Sequence, residues 1–218
     1  MKEFIDQLAK TRAASQARAD ELSLKHGIKV TDTPINGLSM CFNHLTVALE
    51  LTSHYEAAWN GRSTDGMSAE KIKILRDQNG ERLVLLSKTA FVWSLSAIEF
   101  CMKTAIKHRP GVIVVKKPRP YIADIIGACD ETIVPKEDRA AWISANKIRN
   151  RVVHNNGVGQ AAEVHRFPAE DIKEELDMMV TGSILTFPRI LDWLIGAYAR
   201  LCDGFISASA SAGHAKAP

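Results

Sequence analysis

Residues 81–108, ERLVLLSKTAFVWSLSAIEFCMKTAIKH, form the most hydrophobic segment of the chain, and they decide the fold class. Written as an α-helix, this segment carries apolar side chains around most of its circumference, which is typical of the central member of a helical bundle. Lys88 and Glu99 interrupt the apolar residues, so the segment falls short of a clean transmembrane span. We therefore expect a buried core helix.

Helical periodicity continues on both sides of this segment and predicts an all-α protein. Turn-forming Gly, Pro and Asn residues separate the other predicted helices, which cover residues 2–25, 38–59, 68–77, 121–129 and 135–154. Residues 109–120 are predicted to be a connection with room for one short strand. A last helical region is expected over residues 169–207, kinked or broken at Pro188.

These elements divide the chain into three parts. Residues 1–37 are predicted to be an N-terminal helical extension with a linker, because the apolar stripe of their helix is thin. Residues 38–206 are predicted to form the helical bundle. Residues 207–218 are small, polar and repetitive, so we expect a disordered C-terminal tail.

Composition excludes several classes of protein. With 46% hydrophobic and 24% charged residues among 218, the chain is suited to a globular core rather than to wholesale disorder. The start, MKEFIDQLAK, lacks the pattern of a secretory signal, and the four cysteines lack zinc-ligand spacing. We expect a cytoplasmic protein with reduced thiols, no metal site, no cofactor and no membrane segment. A net charge of +3 does not by itself indicate a nucleic-acid partner.

The string IRNRVVHNNG, residues 148–157, is the most informative for chemistry. Arginine offers a permanent cation with donors suited to phosphate, and histidine exchanges a proton near neutral pH. On an ideal helix Asn150 and His154 are neighbours, whereas Arg149 and His154 point about 140° apart. Convergence of Arg149 with His154 therefore requires fraying at His154, the reach of the arginine, or a second copy of the site.

The pattern Arg149, Asn150, three residues, His154 resembles the signature of the HEPN superfamily, in which an Arg, often followed by a polar residue, precedes a His by four to six residues. The resemblance covers about residues 38–205 and implies a HEPN-like helical bundle that dimerises through the motif helix. It implies a metal-independent endoribonuclease with Arg149 and His154 catalytic and Asn150 assisting. The expected products carry a 2′,3′-cyclic phosphate and a 5′-hydroxyl.

The same resemblance implies a biological role and leaves alternatives open. Members that cut tRNA or other RNA are often toxins or antiviral effectors, which implies an antitoxin or other regulatory partner. One subgroup carries Tyr two residues after the His, where this chain has Asn156. The alternatives are a non-catalytic HEPN-like module for dimerisation or for binding a nucleotide or RNA, a DNA-binding regulator, and a plain solvated helix end.

Glu99 is the second candidate, because a carboxylate is unusual in so apolar a helix. Two interpretations remain open: an exposed pair with Lys103 four residues on, or a positioning role in which Glu99 points at Arg149 or His154. Ser96 lies one turn before Glu99 and is assigned the same positioning role.

A basic strip without acidic residues is the third candidate, and it predicts contacts with an RNA backbone. Its members are Lys103, Lys107, Arg109, Lys116, Lys117 and Arg119. A solubilising loop is the alternative. Tyr121 adjoins the strip, and two interpretations remain open for it: stacking on a base, or packing in the core as is commoner for a lone aromatic residue. Arg151, on another side of the motif helix, is predicted to form a salt bridge or to contact RNA.

Overall fold

The computed structural model describes residues 1–154, 158–178, 180 and 183–214, with side chains up to residue 211. Within this part the chain has six α-helices and one two-stranded antiparallel sheet, which confirms the predicted all-α class. The helices are α1 Lys2–His26, α2 Asn36–Asn60, α3 Ala69–His108, α4 Ile122–Ala128, α5 Lys136–His154 and α6 Thr186–His214, and the strands are β1 Glu163–His165 and β2 Ile172–Glu174.

Helix α3 is the central helix of the bundle and packs against α2, α4, α5 and α6. Phe91, Leu95, Ile98 and Met102 lie on its inner side and are fully buried. The prediction of two helices, one ending near residues 79 and 80, is wrong, because α3 runs through this point without a break. A glycine within a helix costs only about 1 kcal/mol relative to alanine, a cost that tertiary packing easily offsets.

Helix α1 packs against α2 and α6. Its stripe of apolar residues is narrow, but Phe4 and Leu8 are almost completely buried. The stripe continues through the small polar Ser15, whose hydroxyl donates a 2.7 Å hydrogen bond to the Leu38 carbonyl at the start of α2. Hydrogen bonding of this kind allows polar residues to face a core.

The C-terminal quarter differs from the prediction in two ways. Helix α6 begins at Thr186 and not near residue 169, so Pro188 lies in its first turn, where proline is tolerated, and does not break the helix. The tail expected to be disordered from residue 207 continues α6 as far as His214, because Ile206 is still buried and the alanines that follow favour helix. Residues 215–218 lie outside the described part.

Helix α3 is long and apolar enough to span a membrane by composition alone. However, 56% of the most apolar 18-residue stretch of this helix is buried inside the bundle, which is consistent with the core helix of a soluble protein. The four cysteines, Cys41, Cys101, Cys129 and Cys202, are buried free thiols.

A candidate anion-binding groove beside Arg149

Helix α5 positions the motif residues. Glu137 and Asp138 lie in its first turn, where the helix dipole favours negative charge. Trp142, Ala145 and Ile148 lie on its buried side and fix the rotation of the helix against α3 and α4. Arg149 follows directly after this buried side, which directs its guanidinium towards α3.

The Arg149 side chain is largely buried, with 12% of its surface exposed. Its Nη2 atom donates to Glu99 Oε2 at 3.3 Å and to Asn146 Oδ1 at 3.0 Å. The Nε atom is buried and has no hydrogen-bond partner among the described residues. Arg149 is therefore held in place by one nitrogen and keeps a donor that is not used by the protein.

Glu99 joins three helices. Besides Arg149 of α5, its carboxylate accepts hydrogen bonds from Lys103 Nζ of α3 at 2.6 Å and from the backbone N–H of Ile122, the first residue of α4, at 3.0 Å. The structure thus contains both contacts considered from the sequence, the pair with Lys103 and the contact with Arg149. A buried carboxylate with three donors is a rigid support for the cations around it.

Tyr121 connects Arg149 with the basic strip. The residue is 51% exposed, and its ring centroid lies 5.5 Å from Lys103 Nζ, 5.2 Å from Lys117 Nζ and 5.8 Å from Arg149 Cζ. Asp124 accepts a hydrogen bond from the Tyr121 backbone N–H at 2.7 Å and pairs with Lys117 at 3.0 Å. These two contacts, the backbone bond first, lower the pKa of Asp124 and fix the residues around the ring.

A groove of about 730 Å³ opens next to this ring. It is lined by the apolar side chains of residues 106–120 and by four cations of the predicted strip, Lys103, Lys107, Lys117 and Arg119. Within the described residues, neither Lys107 nor Arg119 forms an ion pair. The other two members, Arg109 and Lys116, do not line the groove. The groove therefore offers two uncommitted cations to an anion.

The remaining motif residues lie elsewhere on α5. His154 is the last residue of the helix and is exposed, and Asn150 is half-buried one turn before it. No hydrogen bond to the His154 side chain occurs within the described residues. The structure does not bring Arg149 and His154 into contact within one chain, as their 140° separation on an ideal helix implies. Asn156 lies outside the described residues.

Ser96 is not beside Arg149. It lies on the exposed side of α3, in a shallow groove with Met40 and His44 of α2, and makes no hydrogen bond with Glu99 among the described residues. Arg151 forms the salt bridge that was one of its two predicted roles. Its Nε atom lies 2.8 Å from Glu174 Oε1, and its Nη1 atom donates to Gln160 Oε1 at 2.7 Å.

A buried network on the β-hairpin was not found from the sequence. Glu174 is completely buried and accepts hydrogen bonds from Arg151, from His165 Nε2 at 2.7 Å and from the Gln160 backbone N–H at 2.7 Å. Burial acts to raise the pKa of Glu174, but these three contacts together hold it at about 2. The network fastens β2 to the C-terminal half of α5.

The same hairpin brings Glu163, His165 and Glu174 close enough to share a cation, with potential ligand atoms within 4.8 Å of one another. The two carboxylates of this cluster are already engaged, because Glu163 pairs with Lys147 and both oxygens of Glu174 accept hydrogen bonds. We interpret this cluster as an ion-pair network that holds the hairpin on α5.

The fold and the site together define an all-α helical protein with a cation-lined groove next to a buried arginine–glutamate pair. Comparisons of the chain with models of protein families, with curated proteins and with solved structures found no match. The resemblance to the HEPN superfamily therefore rests on the motif formed by Arg149, Asn150 and His154.

Proposed function

We propose that this protein is a metal-independent endoribonuclease of HEPN type that binds RNA in the cation-lined groove. The observation that supports it best is the position of Tyr121, whose ring centroid lies 5.5 Å from Lys103 Nζ and 5.2 Å from Lys117 Nζ of the groove and 5.8 Å from Arg149 Cζ of the motif. The ring thus connects the groove with the motif helix.

The groove suits a single-stranded nucleic acid. Lys107 and Arg119 line the groove as cations that can contact phosphates, and the half-exposed Tyr121 offers a ring on which a base of any identity can stack. Sequence-tolerant recognition of unpaired RNA depends on this combination of cations with an aromatic face. Glu99 offsets part of the positive charge and orients Arg149 through its Nη2 atom.

Cleavage in this proposal is proton transfer combined with stabilisation of charge. His154 accepts the proton of a ribose 2′-hydroxyl, whose oxygen attacks the adjacent phosphorus. Arg149 stabilises the negative charge that develops on the phosphate, and Asn150 assists by hydrogen bonding. The bond to O5′ breaks and that oxygen takes up a proton, which leaves a 2′,3′-cyclic phosphate and a 5′-hydroxyl.

Because Arg149 and His154 point away from each other in one chain, the proposal requires two copies whose α5 helices face each other. His154 of one copy then acts with Arg149 of the other across a shared cleft. We place this homodimer in the cytoplasm as a toxin or antiviral effector that acts on tRNA or other loop RNA, controlled by an antitoxin or similar protein.

A second candidate function is favoured by the contact between Glu99 and Arg149. An arginine that is 12% exposed and already paired with a carboxylate is suited to a structural role. In that case the groove binds RNA or a nucleotide without cleaving it, and the protein is a non-catalytic module.

The deciding experiment incubates purified protein with end-labelled single-stranded RNA in EDTA and analyses the ends of the products. We expect cleavage to 2′,3′-cyclic phosphate ends, abolished by His154→Ala and by Arg149→Ala. A mixture of the two inactive variants should recover part of the activity, because one mixed cleft then contains an intact His154 and an intact Arg149. RNA that is bound but not cut by the wild type supports the second candidate instead.

A further inference from the structure

The outer side of α2 and α3 forms an uncharged surface, which we call the α2–α3 face. Helix α2 contributes residues at positions i, i+4, i+7 and i+11, and α3 contributes residues at comparable spacing, so each set lies on one side of its helix. The members are Met40, His44, Val47 and Leu51 of α2 and Leu85, Thr89, Trp93, Ser96 and Phe100 of α3. None of these nine side chains carries a permanent charge.

The members are contiguous because α2 and α3 pack antiparallel. The rings of His44 and Trp93 are 5.8 Å apart, and Arg82 lies 5.8 Å from the ring of Tyr55. In two antiparallel helices, residues that face each other have numbers with a constant sum. The two pairs have the same sum, so the helices keep one register, which places Leu51 beside Leu85. Arg82 and Lys103 lie near the two ends of the face, about 30 Å apart along α3.

The apolar area of this face matches that of the largest patch on a typical monomer. Phe100 is 61% exposed, Leu85 63%, Trp93 47%, Val47 41% and Leu51 40%. These five side chains present on the order of 500 Å² of apolar surface, and a patch of this size is often functional. A stable interface buries about 800 Å² on each partner, so the face as a whole approaches what a dimer needs.

We propose that the α2–α3 face is the surface through which two copies of this chain associate. In a two-fold contact the same surface meets itself, so it must be free of like-charge repulsion and must carry both a projection and a matching hollow. The face has no permanently charged member, and it offers both the exposed rings of Trp93 and Phe100 and a hollow of about 510 Å³ that these rings line together with Ser96 and the buried Ala97.

The competing surface for association is the outer side of α5. Among the described residues of that helix, only two large apolar side chains are exposed, Ile143 at 46% and Val153 at 49%. The α2–α3 face exposes more than twice as many, and they are contiguous. The stable association of two copies is therefore assigned to α2 and α3, and the contact between α5 helices that the proposed cleavage requires is a separate and weaker contact.

The test is the mass of the full chain in solution, measured by sedimentation equilibrium from low to high micromolar concentration. We expect a dimer for the wild type. Trp93→Glu and Leu85→Glu place a charge in the contact and should weaken dimerisation at least about a hundredfold. Leu24→Glu, at an 88% exposed position of α1, and Ile143→Glu on α5 are the matched controls and should leave the dimer intact.

Circular dichroism checks that each variant stays folded, which the exposure of the substituted side chains favours. A wild type that is monomeric throughout, including one that binds a different protein or lipid vesicles through this face, overturns the inference. So does a dimer that is dissociated by Ile143→Glu but not by Trp93→Glu. A dimer that Trp93→Glu dissociates but that fails to cleave RNA overturns only the proposed nuclease, whereas an RNA-cleaving dimer that Trp93→Glu leaves intact overturns only this interface.

Discussion

Glu99 and Arg149 form an ion pair between the central helix α3 and the motif helix α5, with Oε2 and Nη2 separated by 3.3 Å and both side chains almost buried. Lys103 approaches the other oxygen of the same carboxylate at 2.6 Å. One carboxylate therefore balances two cations at the edge of the groove. The charge that the groove presents to a ligand depends on this residue.

The first prediction is that Glu99→Gln increases RNA binding while it lowers stability. The amide keeps an acceptor for the Ile122 N–H but leaves Lys103 and Arg149 without their counter-charge. Breaking a buried pair in this way costs about 3 kcal/mol, observed as a lower free energy of unfolding in urea. The extra positive charge should tighten binding of labelled single-stranded RNA at low salt. Weaker binding would show that Glu99 acts by holding Arg149 in place.

The second prediction concerns the two uncommitted cations. Lys107→Ala and Arg119→Ala should each weaken RNA binding for all sequences alike and reduce the slope of log affinity against log salt by about 0.7, the value for one phosphate contact on a single strand. Fluorescence anisotropy at several salt concentrations measures both quantities. Lys116→Ala is the matched control, because Lys116 belongs to the same strip but lies outside the groove lining. An equal effect of all three variants would indicate a diffuse charge effect.

The third prediction separates stacking from charge. Tyr121→Leu keeps an apolar side chain but removes the aromatic face, and it should weaken binding to single-stranded RNA by about 1–3 kcal/mol without altering the salt slope. Tyr121→Phe keeps the face and should bind like the wild type. If both variants bind equally well, the ring packs against its three cations and has no role with the ligand.

The sequence was sufficient to predict those helices whose pattern and boundaries are determined by their own residues. Residues 136–154 alternate buried and exposed positions with helical period, and so α5 was found with its boundaries nearly right. The break expected near Gly80 was wrong because a local preference worth about 1 kcal/mol was overcome by the packing of one long helix across it. The strands were missed because three-residue strands depend on partners seven to eleven residues away.

The candidate site was predictable only in part. Arg149, Glu99 and the basic strip were found because charged residues in or beside an apolar helix are conspicuous. The contact of Tyr121 with these residues could not be predicted from the sequence, because it depends on how α4 packs against α3. The role of Arg151 was fixed by Glu174, 23 residues further on, which only the hairpin brings into contact with it.

The fourth prediction is a loss of stability in acid that depends on Glu174. Its pKa of about 2 in the folded protein lies below its ordinary value, so its contribution is fully present above pH 4.5 and is lost as the pH falls towards 2. A shift of this size corresponds to about 3 kcal/mol. Glu174→Gln should destabilise the protein at pH 7 by a similar amount and flatten the decline of stability below pH 4.5. Urea unfolding at several pH values measures it, and Glu175→Gln next to it is the control.

The fifth prediction is that acid dissociates the proposed dimer through His44. This side chain is half-buried on the α2–α3 face, burial lowers its pKa, and its Nδ1 atom has no hydrogen-bond partner among the described residues. The hollow around it is lined by Met40, Trp93, Ser96, Ala97 and Phe100, none of which is charged or titratable near neutral pH. Contact with a second copy buries the ring further, so the proton is bound more readily by the separated chains. The dissociation constant should therefore rise at least about tenfold as the pH falls from 7.5 to 5.5, across the ordinary pKa of histidine.

His44→Leu should dimerise equally well at both pH values, whereas His54→Leu, outside the hollow, should keep the wild-type response. A wild-type dimer with the same dissociation constant at both pH values would show that His44 remains solvated in the contact.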